Sequence, residues 1–381
     1  MAYVVGGTNR VPPDLPLEKT TLESSYKVCN LTLMFTSVAR STGSNGLPWI
    51  RSDYFPLYLA PMAGFTDIAY RQLCKQYGAD VVISEFVMCE AILRDVPGVW
   101  ESIEFTESQR PMGVQIFGSQ PDRMAQAARR ICDRIEPDFI DINFGCPSDK
   151  VTKAAAGCSL LKDLPLLAAI AQAVRGEISE RPVTAKIRLG WDSNTLVASE
   201  AASLLEESGM ETITIHGRTR MQGYKGDADM SIICQVAAER SVPVIANGSV
   251  EDLGRIDFLA TKSACAGAMI GRAALGNPWI FHQIREFLQA GIRPQEPTLE
   301  MRIDALQSYA KHLMESPLGQ HHGSSISWLK PKLKSLLKNF PQSRRARMAI
   351  DQARTPPDLF AILDGLQDII QNQPIPSGSL C

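Results

Sequence analysis

The chain has 381 residues, 45% hydrophobic and 21% charged, with a formal net charge of −2. That suits a soluble protein of two domains or one large barrel with an attachment; the near-neutral balance offers no global basic field for nucleic acid, and no apolar run approaches the ~20 residues of a membrane span. Nine cysteines, at 29, 74, 89, 132, 146, 158, 234, 265 and 381, are odd in number and unpaired in spacing, which points to reduced thiols in a cytoplasmic compartment and, without a Cys-x-x-Cys or His-rich cluster, to no metal site.

Residues 1–56 carry Pro12, Pro13 and Pro16, much Ser, Thr and Gly, and no sustained period. They read as an irregular N-terminal extension, a disordered tail or sequence ahead of a start at Met34. The acid-free stretch 34–52 has only a faint transit-peptide character, and Leu31 to Phe35 is too short for a signal-peptide core.

From Leu57 short β-rich runs alternate with longer segments of helical spacing. The runs are Leu57–Ala60, Asp80–Ser84, Met112–Phe117, Asp138–Ile142, Val183–Ile187, Glu211–Ile215, Val242–Ala246 and Gly267–Ile270. Between them the spacing predicts helices over 67–77 after a Thr66 cap, 121–135 with Pro121 in the first turn, 196–208 capped by Thr195 or Asn194, and 251–260 after Ser249. Strand–helix alternation implies a parallel sheet. Eight units over residues 57–292 fit an α/β fold, a closed (β/α)8 TIM barrel, better than an open doubly wound sheet. Beyond Arg293, Pro294 and Pro297 mark a hinge, and helical patterns over 299–314, 327–339 and 357–371 make residues 293–381 an all-α domain. Its stretch 330–348 holds Lys330, Lys332, Lys334, Lys338, Arg344, Arg345 and Arg347 and no acid.

The chemistry centres on the stretch 138–161. A buried strand breaks into Asn143-Phe144-Gly145-Cys146-Pro147. Gly145 permits the turn and Pro147 holds Cys146 extended, so a thiol sits on a stiff loop just past a strand end, where a parallel α/β fold meets its ligands. A lone cysteine is most often a small buried hydrophobe; its neighbours argue otherwise. The other strand ends supply an apolar turn at Ala60-Pro61-Met62-Ala63-Gly64, the amide of Gln115, Lys186 flanked by Thr184 and Arg188, His216 followed by Arg218 and Arg220, and two Gly-bearing turns, Asn247-Gly248-Ser249 and Gly271-Arg272. Apolar turn, amide, lysine, histidine and two turns of the phosphate-holding kind together suit flavin mononucleotide (FMN).

These segments resemble the tRNA-dihydrouridine synthases: APMAGFTD at 60–67, VQIFGS at 114–119, DINFGCPSDKV at 141–151, AKIRLGW at 185–191, TIHGRTRMQGYKG at 214–226, PVIANGS at 243–249 and MIGRAALGNPWIF at 269–281. The resemblance implies an FMN-bearing barrel, a helical tRNA-binding domain, and reduction of a uridine in tRNA with NADPH, NADH being the other possible donor. It puts the catalytic acid at Cys146 and FMN contacts at Pro61, Met62, Ala63, Gln115, Lys186, His216, Asn247, Gly248, Ser249, Gly271 and Arg272. Asn143, Arg188 and Arg218 fall at the substrate. The chain departs from the family pattern at Ser249, where an acid is usual, and at 323–328, Gly-Ser-Ser-Ile-Ser-Trp, where a basic cluster is usual. A monomer is expected. Two rivals stay open: an FMN barrel acting on a free small molecule, in the manner of dihydroorotate dehydrogenase, and a non-catalytic tRNA-binding protein, which would have no use for the Cys146, Lys186 and His216 set.

Overall fold

Parallel β-pairing dictated by the alternating runs closes on itself. The structure, a computed structural model, describes residues 47–337, 340 and 342–371. Its strands are β1 (Leu57–Leu59), β2 (Val81–Ile83), a two-residue piece β3 (Val87–Met88), β4 (Met112–Phe117), β5 (Phe139–Asn143), β6 (Val183–Arg188), β7 (Thr212–His216), β8 (Val244–Asn247) and β9 (Gly267–Ile270). All pairings are parallel; β1 joins β9 and β2 joins β4, so the sheet has no open edge and β3 merely continues the line of β2 along β4. This is the closed eight-stranded barrel with helices around it, and closure excludes the open sheet.

The helices form where apolar spacing predicts them, but some are capped elsewhere. Ile68–Gln76 is capped by Asp67, whose side chain accepts the Tyr70 N–H. Thr66 is one residue too early: its hydroxyl accepts the Met62 N–H and closes the turn after β1. Leu253–Lys262 is capped by Asp252, not Ser249, because Ser249 has a φ of 49° in the turn after β8. Ala198–Glu207 starts at Val197 with no side-chain cap; Thr195 and Asn194 are held in a turn by Asp192 instead. Pro121–Ile135 is as expected.

Period-two alternation fills the lower half of the barrel with apolar side chains: Tyr58, Val81, Ile83, Phe139, Ile245 and Met269. Gly113 has to be glycine, since a Cβ there would lie 2.3 Å from the Phe139 ring. Residues 47–56, expected within the irregular extension, pack Leu47 and Ile50 into this cluster and Trp49 against it. Trp49 donates to the Tyr58 hydroxyl at 2.9 Å and meets the Phe139 ring at 5.6 Å. Sealing the barrel floor with a few such side chains is worth about 2 kcal/mol per fully buried residue, and the stretch had no legible period because it forms turns and not a helix or strand. The remainder of the extension, 1–46, lies outside the described residues.

The C-terminal helices are Leu299–Glu315, Pro317–His322, Leu329–Leu336, Ser343–Gln352, Pro356–Asp364 and Leu366–Gln371. Gly365 divides the helix expected over 357–371 into two. One apolar cluster runs from the barrel's helix layer into these helices. At the junction Asp67 accepts from Tyr309 Oη and from Lys332 Nζ, each at 2.8 Å, and Tyr309 packs edge-on to Tyr70 at 5.9 Å. The helical region is thereby tied to the residue that ends the APMAGFTD turn.

Candidate active site

Strand register stacks the inward-facing polar residues in layers. Gln115 lies opposite Asp141 and Asp141 opposite Thr184. One pleat higher Asn143 lies opposite Lys186. Highest are Arg188 opposite His216 and His216 opposite Asn247. Because side chains alternate every residue along a strand, Asp141 and Asn143, Thr184 and Lys186, and Thr214 and His216 all face the barrel axis above the apolar floor. The sequence-expected residues Gln115, Asn143, Lys186, His216 and Asn247 are therefore brought to one mouth, with the two turns beside them.

Cys146 is half-buried on the loop after β5. Asn143 Oδ1 accepts the N–H groups of Gly145 at 3.0 Å and Cys146 at 2.8 Å, and Asn143 Nδ2 donates to Gln115 Oε1 at 2.8 Å. The Gly145 carbonyl accepts from Arg188 Nε and Cys158 Sγ, both at 3.0 Å. Gly157, at φ 61°, leaves room for the loop: a Cβ there would approach the Cys146 carbonyl to 2.9 Å. Burial pushes the Cys146 thiol up, and backbone donation from Ser148 and the charges of Arg188 and Lys186 only partly oppose it. Cys158 is fully buried, its thiol pushed up to about 12, in keeping with a packing role.

The neighbouring wall, on β6 and β7, is cationic. Burial, with Arg188 adding to it, brings the Lys186 ammonium down to about 8. Burial also lowers His216 strongly, with Lys186, Arg188, Arg218 and Arg272 adding repulsion, so its imidazole is neutral. Arg218 Nη1 lies 3.1 Å from His216 Nε2; a guanidinium can only donate, so Nε2 accepts and the ring proton resides on Nδ1. Gly248, at φ 101°, sits so close that a Cβ would come within 2.6 Å of the His216 ring. Ser249 Oγ accepts from Arg218 Nη2 at 2.7 Å, and its carbonyl accepts from Arg255. Asn247 donates to the Met269 carbonyl at 2.7 Å, linking the two turns.

On the β1 side the turn 60–67 is open: Pro61 and Met62 are half-buried and Ala63, Gly64 and Phe65 exposed. It is held by Thr66 and by Glu85, which accepts the Gly64 N–H at 2.6 Å. Gly271 faces this turn, 3.6 Å from Ala60 and 3.7 Å from Met62 measured from an ideal Cβ.

Arg188 and Arg218, expected at the substrate, are each 2% exposed. Arg188 donates to the carbonyls of Gly145, Thr219 and Gly223, and Arg218 to that of Gly226. Both clamp the loop after β7. That loop presents a residue the sequence reading missed, Tyr224, 54% exposed. Its ring lies 4.5 Å from the Arg272 guanidinium, 5.4 Å from that of Arg188 and 6.2 Å from His216. An aromatic between Gly223 and Lys225-Gly226 was the available signal. Glu85, on the connection between β2 and β3, was missed too, because it lies past the end of an unremarkable apolar run.

The basic stretch of the helical region is partly committed internally. Lys330 donates to the Asp351 and Ala353 carbonyls, Lys334 pairs with Asp351 at 2.7 Å and Lys332 with Asp67. Arg344 is exposed; Lys338 lies outside the described residues. Among the described residues no cluster of three or more His, Cys, Asp or Glu is placed to hold a metal, and no helix is long and apolar enough to cross a membrane.

Against known proteins, the sequence matches the dihydrouridine synthase family over residues 58–373. It is 35% identical over 304 residues to tRNA-dihydrouridine synthase B of Xanthomonas axonopodis pv. citri, covering 80% of this chain and 90% of that one. To tRNA-dihydrouridine synthase B of Pseudomonas aeruginosa it is 38% identical over 256 residues, covering 67% and 76%. A family match across the whole barrel and helical region, joined to relatives of this identity and coverage, makes the chain a member of the dihydrouridine synthase family.

Proposed function

We propose that this protein reduces the C5–C6 double bond of a uridine in tRNA, with FMN bound in the barrel mouth and NADPH as reductant. The observation that carries the reading is the half-buried Cys146 thiol, its loop fixed by Asn143, at the same barrel mouth as Lys186 and His216.

Three features support the fit of FMN. Lys186, Arg218 and Arg272 concentrate positive charge around the neutral His216, where an anionic ring edge and a phosphate would be stabilised. Gly248 lets the turn expected at the phosphate pack directly against the His216 ring. The turn 60–64 offers an apolar, open surface for one face of a flat ring. Pro61, Met62, Ala63, Gln115, Lys186 and His216 would hold the ring, and Asn247, Gly248, Ser249, Gly271 and Arg272 the phosphate. When bound, the flavin supplies the hydride that adds to C6 of the uracil.

The protein's own part is the proton. Cys146 holds it at Sγ, a thiol kept protonated by burial, and gives it to C5; solvent then reprotonates the thiolate. Asn143 has one Nδ2 hydrogen beyond its bond to Gln115 and would direct it to the uracil. Arg188 and Tyr224 form the wall beside the base; Arg218 holds the turn that faces the phosphate. The uridine has to leave its stack to arrive there.

The purified protein is expected to be yellow and to release FMN, not FAD, on denaturation. A colourless protein that takes up no FMN on reconstitution would remove the redox reading.

A further inference from the structure

Asp141 has no part in the chemistry above, yet it is the one carboxylate of the barrel's polar layers and is 1% exposed. Register alone places it between Gln115 on β4 and Thr184 on β6. Gln115 Nε2 donates to Asp141 Oδ2 at 2.5 Å and Thr184 Oγ1 to Oδ1 at 2.6 Å. With the nitrogen of Gln115 turned down to Asp141, its oxygen faces up and accepts from Asn143 Nδ2. That leaves the Asn143 oxygen facing the loop, where it takes the N–H groups of Gly145 and Cys146.

The chain of bonds has a direction: every donor, from the thiol loop downward, points back towards Asp141. A primary amide turned over would set N–H against N–H at one link and oxygen against oxygen at the next. The acceptor at the base therefore selects one orientation for both amides. Burial pushes the Asp141 carboxyl up, while its two hydrogen bonds and the charge of Lys186 hold it down.

We propose that Asp141 is a positioning residue for Cys146: by accepting from Gln115 it fixes the amides of Gln115 and Asn143, and through them the loop that carries the thiol. The inference takes the importance of Cys146 from the function proposed above, but its test needs neither flavin nor tRNA.

The test is site-resolved alkylation of the flavin-free protein by iodoacetamide, read by mass spectrometry, with Cys234 as internal control because it is the other half-buried described thiol. Asp141→Leu keeps a side chain of similar shape without an acceptor. Its Cys146 is expected to alkylate about 3–10-fold faster, since a released thiol is both more exposed and less held in its protonated form; Cys234 is expected to be unchanged. Asp141→Asn is expected to stay near the wild-type rate, because its oxygen can still accept from Gln115 while its amide donates to Thr184 Oγ1. Gln115→Met breaks the chain one link higher and is expected to match Asp141→Leu, which keeps the test open should the leucine variant not fold. Unchanged Cys146 alkylation in Asp141→Leu or Gln115→Met, equal acceleration at Cys234, or an asparagine variant as reactive as the leucine one would each overturn the proposal. In turnover of the loaded enzyme Asp141→Leu is expected to lose about 10²-fold, the cost of a misplaced reacting group. Should Cys146→Ala retain full turnover, the functional reading fails while the alkylation result stands by itself.

Discussion

Cys146→Ala is expected to lower single-turnover uridine reduction by about 10²–10⁴-fold, the worth of a positioned general acid, while flavin stays bound and is still reduced by NADPH. The thiol is on the loop after β5 and is not among the residues proposed to hold the flavin ring or its phosphate, so its removal takes away a proton and little binding. Rapid-mixing absorbance separates the two half-reactions. Because burial raises this thiol, and a thiol is ordinarily protonated below about 8.5, the wild-type reductive step should stay level through neutral pH and fall only as pH rises past the raised value. Cys158→Ala is the control. It removes a buried bond to the Gly145 carbonyl and is expected to cost about 1 kcal/mol of stability with near-normal turnover. Equal losses in the two variants would show that the loop, and not the Cys146 thiol, carries the chemistry.

Lys186→Met is expected to weaken FMN binding by about 10–10²-fold, the worth of one hydrogen bond to a charged group, measured by absorbance titration of the flavin-free protein. Lys186 is the amine in the mouth for which the barrel supplies only Asp141 as an attractive carboxylate, and burial and Arg188 bring it down to about 8. The sign follows. The folded value lies below the unfolded one of ~10.4, so this group costs the ligand-free fold stability below pH 8, and that cost is relieved as pH rises from about 8 to 10. An anionic ligand prefers the protonated amine. Its affinity should therefore fall as pH rises through about 8 in the wild type, and that inflection should vanish in Lys186→Met. An unchanged pH profile in the variant would place the titrating group elsewhere.

The barrel was legible because eight β-rich runs alternate with amphipathic segments, and closure needs only their number and order. The placement of the candidate site was legible too: Gln115, Asn143, Lys186, His216 and Asn247 lie in or just after those runs, and register carries them to one mouth. What stayed hidden depends on partners distant in sequence. Asp67 outcompetes Thr66 as a cap because Thr66 is drawn into the Met62 turn. Lys332 belongs to the one-signed basic stretch 330–348, and nothing local signals its pairing with Asp67, 265 residues away. The resemblance puts Arg188 and Arg218 at the substrate, and only the fold of the loop 217–226 adds the carbonyls that they also meet. Trp49 and Ile50 lie in a stretch without period, since sealing a barrel floor requires the right few side chains and no repeat.

The most direct test of the central claim is incubation of the purified, FMN-loaded protein with unmodified tRNA and NADPH, followed by nucleoside mass spectrometry. Dihydrouridine at a defined position is expected in wild-type reactions, with NADPH consumed in proportion, and almost none with Cys146→Ala. A fully flavinylated wild-type protein that oxidises NADPH with a free pyrimidine or another small acceptor, yet leaves every uridine of the tRNA unreduced, would contradict it.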